Sequence, residues 1–425
     1  VSFAAPFLLL LAILRTPLFV VIALSAMVGF YSQEVPLSVI SIEIFRLAEM
    51  PVLLAIPMFT FAGYLLGEGQ ASKRLVNLTN SLLGWMPGGL AIVAIFACAL
   101  FTAFTGASGI TIVALGGLLY PALKQAGYLE NFNLGLLTSS GSLGLLFAPS
   151  LPLILYGVVA QQMELEQTVS ISDLFLAGIL PGLLMLVMLS IYSMMQPRDR
   201  TRRDSFHAAT AIAAIRAARW DIPLPFLVLG GIYGGYFAVS EAAAVTAIYV
   251  LVVEMLIIRD IKFSDLPRIM RESMMLVGGI LIIIGVSLAS TNYLIDAEVP
   301  TRMFDFIQSH IDEKLTFLIL LNIFLLILGM MLDIFSAIVL IVPILLPIAV
   351  GYGIHPVHLG IIFLANMQLG YFTPPVGMNL FIASYRFSKP VMTLYLATIP
   401  FFLVLLVAVL IITYWPALSL FLISD

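Results

Sequence analysis

The chain has 425 residues, of which 62% are hydrophobic and 10% charged, with a formal net charge of −4. A soluble domain carries about 25% charged residues, so this composition excludes a mostly wetted surface and points to a membrane protein. The few cations are clustered rather than spread over one face, which excludes a nucleic-acid binder, and the single cysteine, Cys98, excludes an internal disulfide and reads as packing.

The N-terminal stretch is apolar but lacks the charged segment and cleavage motif of a signal peptide. It also lacks an initiator Met, so a short preceding piece is expected. At about 20 residues per helical span, the chain divides into roughly eleven or twelve apolar blocks. Among them are residues 17–31, 90–104, 171–195, 242–258, 274–295, 316–332 and 391–415. Mid-chain, residues 196–221 carry Arg198, Arg200, Arg202, Arg203, Arg216 and Arg219, whereas residues 1–14 and 391–425 carry no Lys or Arg. The positive-inside rule places the middle in the cytoplasm and both ends outside. Each half then needs an odd number of crossings, the arithmetic of two inverted repeats.

Sliding the chain on itself supports that reading. At an offset of 226 residues, Pro121 falls on Pro347, Gly127 on Gly353, Leu143-Gly144 on Leu369-Gly370, and Pro149 on Pro375. The expected organisation is a first repeat over 1–197, a basic cytoplasmic linker over 198–220 and a second repeat over 221–425. Each repeat is expected to hold a helical hairpin (near 88–123 and 315–350) and a broken helix (near 141–157 and 366–383). Bare backbone at membrane depth is tolerated only where it is buried or lines a cavity. Paired interruptions in two halves are therefore the best sequence pointer to a transport site.

Half-helix N-termini offer free N–H groups that suit a carboxylate, and freed carbonyls suit a hard cation such as Na⁺. Ser108, Thr111, Ser142, Ser150, Thr373 and Asn379 add hydroxyl and amide groups at the interruptions. Asp333 lies between two apolar runs, where a carboxylate costs about 2.5–3.5 kcal/mol on insertion scales, and reads as a coupling-ion or substrate residue, with a structural partner as the alternative. Gly144 and Gly370 are expected to let the backbone turn so that its carbonyls converge on an ion. Arg15 and Glu241 are repeat equivalents and read as interfacial anchors that cap or snorkel, or as a scaffold ion pair or substrate-adjacent charge.

Other patterns resemble chemistry without supporting it. Val350-Gly351-Tyr352-Gly353 has the letters of a potassium filter, but its repeat partner has none. His355 and His358 have no acidic or Cys partner and read as loop caps. No Gly-x-x-x-x-Gly-Lys-Ser/Thr, His-Glu-x-x-His or Gly-x-Ser-x-Gly motif occurs, which disfavours an ATPase or a membrane hydrolase.

Residues 105–111 (TGASGIT), 144–157 (GLLFAPSLPLILYG) and 373–381 (TPPVGMNLF), with 241–244 (EAAA) and 329–333 (GMMLD), resemble the large membrane subunit (M, or DctM-type) of TRAP transporters. The resemblance covers essentially the whole chain. It implies an all-α polytopic protein of the bacterial inner membrane with two inverted repeats, an elevator-type scaffold and a transport domain. It implies a tripartite, sodium-coupled importer of an organic acid, with C4-dicarboxylate the family default. The partners would be a periplasmic substrate-binding protein and a small four-helix membrane subunit supplied as a separate chain. Sodium would use oxygens at Thr105, Gly144, Phe147, Pro149, Asp333, Gly370, Thr373 and Pro375. Substrate would meet Ser108, Gly109, Thr111, Ser150, Asp333, Pro374 and Asn379. The hairpin tip departs from the commoner Ser-Gly-Ser-Ser by showing Thr105-Gly106-Ala107-Ser108, and Ala148-Pro149-Ser150 replaces Pro-Pro-Ser. The competing reading is a stand-alone divalent-anion/sodium symporter that needs no binding protein.

Overall fold

The computed structural model of the chain describes residues 16–86, 88–163, 167–196 and 207–423. Arg15, Arg198, Arg200, Arg202 and Arg203 lie outside the described residues. Every regular element among the described residues is helical, as expected of a chain whose backbone polar groups must find partners within the segment in a bilayer.

In chain order, α1 (Leu18–Ser32), α2 (Ser38–Ala48), α3 (Ala55–Glu68) and α4 (Ala71–Leu83) lead to a helical pair, α5 (Gly89–Thr105) and α6 (Ser108–Gln125). Then come α7 (Glu130–Ser140), a 3₁₀ turn (Leu143–Leu146), α8 (Leu151–Gln161) and α9 (Ile171–Met194). After α10 (Ala208–Ala217), the elements are α11 (Pro223–Tyr233), α12 (Val239–Val252), α13 (Leu266–Asp296) and α14 (Val299–Gln308). A second pair, α15 (Lys314–Met331) and α16 (Ile334–Gly351), precedes α17 (Pro356–Gly370), α18 (Met378–Phe387), α19 (Val391–Tyr414) and α20 (Ala417–Leu420).

Among the described residues, seven helices are long and apolar enough to cross a membrane, fewer than the eleven or so apolar blocks. Several blocks form helices too short to span, such as Gly89–Thr105, Pro223–Tyr233 and Pro356–Gly370. The pair α7–α8 is bent by 42° at its break.

Packing gathers these helices into two groups. The long α13 packs on α1, α2 and α3, and α3 packs on α12. In the other group α5 packs on α6 and α7, α16 on α8, α17 on α15, and α19 on α7 and α9. The second group holds most of the core, including the fully buried Phe101, Tyr156, Phe175, Phe363 and Phe401. The short helices α4 and α14 bridge from the first group into each helical pair. Cys98 is buried within α5.

One ion-pair hub fixes α4. The Arg74 guanidinium, 11% exposed, meets Asp221 at 2.6 Å, Glu254 at 2.5 Å and Asp260 at 2.5 Å. The Gln70 N–H also donates to Asp260. This planar fork suits several carboxylates at once, and it ties α4 to the segment before α11 and to the end of α12.

The structure also resolves the side motifs. Glu241 accepts the Ala238 N–H at 2.9 Å and so caps α12. His355 Nδ1 accepts the Val357 N–H and caps α17. His358 corrects the loop-cap reading, because it is buried with Nδ1 at Ser419 Oγ and Nε2 at the Thr413 carbonyl. The Gly353 carbonyl accepts Lys314 Nζ at 2.7 Å, so this turn serves as a tether rather than a filter.

Arg74→Ala would leave Glu254, which is fully buried, without its counter-charge. Breaking such a pair costs about 3 kcal/mol, so the melting temperature in detergent should fall by several degrees. Arg74→Lys should recover little of it, since an ammonium cannot reproduce the fork. A wild-type melting temperature for Arg74→Ala would show that the hub is dispensable.

Candidate functional site

The two helical pairs are interrupted in matched positions but by different chemistry. In the first, Gly106 has φ +66° and donates its N–H to the Thr102 carbonyl. A Cβ there would lie 2.7 Å from the Leu151 side chain, so only glycine fits both the torsion and the space. The helix that follows, α6, begins after Ala107, which supplies no side-chain cap. Its first-turn N–H groups are therefore left for another acceptor.

In the second pair, Asp333 caps α16. Its Oδ1 accepts the Phe335 and Ser336 N–H groups at 3.0 Å each, and its Oδ2 accepts Ser336 Oγ at 2.5 Å. The remaining Ile334 N–H donates to Tyr371 Oη at 2.7 Å. Asp333 thus has a structural task, the alternative that its sequence setting left open: it fills the anion position at its own helix N-terminus.

The two broken helices lie against these tips. In the first, the Phe147 N–H donates to the Gly144 carbonyl, and the Ala148–Pro149 bond is cis. In the second, the Thr373 N–H donates to the Gly370 carbonyl, and the Pro374–Pro375 bond is cis. Neither Gly144 nor Gly370 has a positive φ, which corrects the expectation that they supply a special turn. Their role is close approach. A Cβ on Gly144 would lie 2.2 Å from the Ala99 carbonyl, and one on Gly370 would lie 2.4 Å from the Gly329 carbonyl carbon.

Asn379 joins the halves. Its Oδ1 accepts Ser108 Oγ at 2.7 Å, its Nδ2 donates to the Thr138 carbonyl at 3.3 Å, and its backbone N–H donates to the Tyr371 carbonyl at 2.8 Å. Thr111 is buried and pairs with Thr102 Oγ1 at 2.6 Å, while Thr102 also reaches the Gly141 carbonyl.

Both tips open on one cavity of about 810 Å³. The helical pairs contribute Gly106, Ser108, Gly109, Ile110 and Asp333, and the second break contributes Tyr371 and Met378. The facing wall comes from α3 and α13 through Tyr64, Glu68, Glu272 and Leu276. Beside it, Arg268 bridges Glu68 at 2.6 Å and Glu272 at 3.3 Å. A second cavity of about 550 Å³, lined by Arg46, Glu49 and Asn292 among others, contains none of the sequence-predicted residues.

Of the expected substrate residues, Ser108, Gly109 and Asp333 line the larger cavity. Thr111, Ser150 and Asn379 are buried behind it, and Pro374 is exposed outside it. Among the expected ion ligands, Thr105 is buried at the first tip. Thr373 Oγ1 donates to the Leu369 carbonyl, and the Pro375 carbonyl accepts Tyr395 Oη. The Phe147 ring lies against Gly182.

At the breaks, Ser140 Oγ, Ser150 Oγ and both amide atoms of Gln368 are buried without a hydrogen-bond partner. The Ser142 hydroxyl, 226 positions earlier, approaches the Gln368 carbonyl at 3.4 Å. Sequence reasoning missed Tyr371, Gln368 and Ser140. Applying the repeat offset to Ser142 would have found Gln368.

The family model described as the DctM component of tripartite ATP-independent periplasmic transporters matches residues 5–418. The C4-dicarboxylate TRAP transporter large permease protein DctM of Pseudomonas aeruginosa is 34% identical over 383 residues, covering 90% of this chain and 88% of that protein. The isethionate TRAP transporter permease protein DctMQ of Oleidesulfovibrio alaskensis is 35% identical over 372 residues, covering 87% of this chain and 58% of that protein. An ectoine/5-hydroxyectoine large permease, UehC of Ruegeria pomeroyi, is 33% identical over 372 residues, covering 87% of this chain and 84% of that protein. The solved YdaH transporter of Alcanivorax borkumensis shares the fold with a TM-score of 0.63 at 14% identity, covering 89% of this chain and 87% of that one.

The close approaches at the breaks give a direct check. Gly144→Ala and Gly370→Ala each push a methyl into backbone that has no flexible end to yield. Each should cost about 1–3 kcal/mol and lower the melting temperature in detergent. Gly278→Ala on α13, where nothing lies within 4 Å, should be neutral or slightly stabilising. Equal melting temperatures for all three variants would refute the packing role.

Proposed function

Because the chain belongs to the DctM component family of tripartite ATP-independent periplasmic transporters, we propose that it carries an organic acid across the bacterial inner membrane, driven by sodium. The observation that carries this reading is the convergence of both helical-pair tips on one cavity. At one tip the N-terminus of α6 has no side-chain cap and suits a carboxylate. At the other tip Asp333 already occupies the corresponding place.

Sodium is cargo, and it fits the unpaired buried oxygens of the breaks. A hydroxyl or amide buried without a partner costs about 1–3 kcal/mol. Ser140, Ser150 and Gln368, at or beside the two breaks, each bear that cost, and in this proposal an ion would relieve it at their oxygens. The backbone carbonyls at Gly144 and Gly370 are engaged in local turns, so side-chain oxygens take the larger share in this proposal.

The cavity lies between two packed groups, with α3 and α13 on one wall and the tips on the other. That arrangement supports an elevator: the tips and broken helices carry substrate past a fixed wall of α3, α12 and α13. The larger cavity adjoins the end of α3, a few residues before Arg74, whose partner Asp221 follows Arg216 and Arg219 in the chain. By the positive-inside rule that end is cytoplasmic, so this state faces inward. A periplasmic binding protein would deliver substrate to the opposite face, and a small membrane subunit would brace the first group. Relatives named for C4-dicarboxylate, isethionate and ectoine make a C4-dicarboxylate one member of the proposed substrate range.

Uptake by the complex reconstituted with its partners should require an inward sodium gradient. Ser150→Ala separates ion ligation from packing. Removing an unpaired buried hydroxyl should leave the ion-free protein as stable as wild type or more so, yet raise the sodium half-saturation concentration several-fold. An unchanged sodium titration would remove Ser150 from the ion site, and uptake indifferent to sodium would remove the coupling.

A further inference from the structure

We propose that Tyr371 is a substrate-positioning residue whose hydroxyl donates a hydrogen bond to the carboxylate of the transported acid. The inference rests on the transport reading and adds a residue and a chemical requirement to it. Tyr371 lines the cavity between the tips and is 4% exposed. Its Oη accepts the Ile334 N–H at 2.7 Å, which uses one lone pair and leaves the hydroxyl hydrogen. Among the described residues that hydrogen has no acceptor. The nearby Asp333 carboxylate is occupied by two backbone N–H groups and a serine hydroxyl. A buried phenol usually finds an acceptor, and the open space here is the cavity itself.

The placement suits a carboxylate. The same cavity is bounded by the first turn of α6, at Ser108, Gly109 and Ile110, whose N–H groups have no side-chain cap. One carboxylate oxygen can accept from that helix end while the other accepts from Tyr371. The residue is also wired to both tips: its hydroxyl holds Ile334 of the second, and its carbonyl accepts from Asn379, which in turn binds Ser108 of the first. A carboxylate bridging Tyr371 and α6 would therefore draw the two tips onto one ligand.

The test starts from the wild-type complex with its binding protein and a panel of carboxylates. Sodium-driven uptake of none of them would overturn the transport reading, and this inference with it. Once the transported acid is known, its inhibition of uptake from the vesicle lumen reads the permease site without the binding protein. Tyr371→Phe should raise the half-inhibitory concentration about tenfold, the loss typical of one hydrogen bond to a charged group, while sodium half-saturation stays at the wild-type value. A fluorinated tyrosine at this position keeps the donor. It should restore inhibition, and its fluorine NMR resonance should move as the acid is titrated. An unchanged half-inhibitory concentration, or a resonance indifferent to the acid, would overturn the proposal. So would a loss confined to maximal rate and sodium dependence, because Tyr371 would then be an anchor for the second tip alone.

Discussion

The structure turns on how backbone polar groups are satisfied where helices stop at membrane depth. In hydrocarbon each unmet N–H or carbonyl costs several kcal/mol, and this chain creates four such places: two tips and two breaks. Only the second tip is closed by the protein's own side chains. Asp333 and Tyr371 close the second tip, and short turns with a cis proline bond occupy both breaks. The first tip keeps first-turn N–H groups with no side-chain cap, and the breaks keep the buried side chains of Ser140, Ser150 and Gln368 without partners. The cavity between the tips is thus one place where the fold leaves its own hydrogen bonding incomplete, and in the transport proposal an anion would complete it.

The same constraint explains the glycines. A break can be buried only if neighbouring helices approach it closely. Gly144 sits against the Ala99 carbonyl, and Gly370 sits against Gly329, because a methyl at either position would collide with backbone. Each break is thereby packed on the first helix of the pair in its own half. This couples the breaks, with their buried unpaired side chains, to the helical pairs, and the Ser108–Asn379 hydrogen bond then joins one half to the other. Against this group stand α3, α12 and α13, held at one end by Arg74 and its three carboxylates.

Much of this was legible in the sequence, for physical reasons. Interruptions such as Thr105–Gly109 and Asp333 stand out because Gly, Ser and Asp are costly inside apolar runs, and helices do stop at Thr105 and Met331 and restart at Ser108 and Ile334. Ser108, Gly109 and Asp333 line the cavity. What the sequence could not give was direction and contact. Thr111 and Asn379 carry the right chemistry but spend it on protein partners, and Pro374 faces outward. Asp333 reads as an ion or substrate group because of its cost in the membrane, whereas its cap is visible only from the geometry of α16. Tyr371 carries no local sequence signal of its role, which rests on its hydroxyl meeting the Ile334 N–H across the fold. The three carboxylates around Arg74 come from positions far apart in the chain, and no local pattern unites them.

The most direct measurement is a density map of the sodium-bound membrane complex with the transported acid, solved in the inward-facing state. The acid should lie between the two tips, with its carboxylate within hydrogen-bond distance of the Ser108, Gly109 and Ile110 N–H groups. An acid bound instead in the second cavity beside Arg46 and Asn292, with the space between the tips empty, would contradict the account.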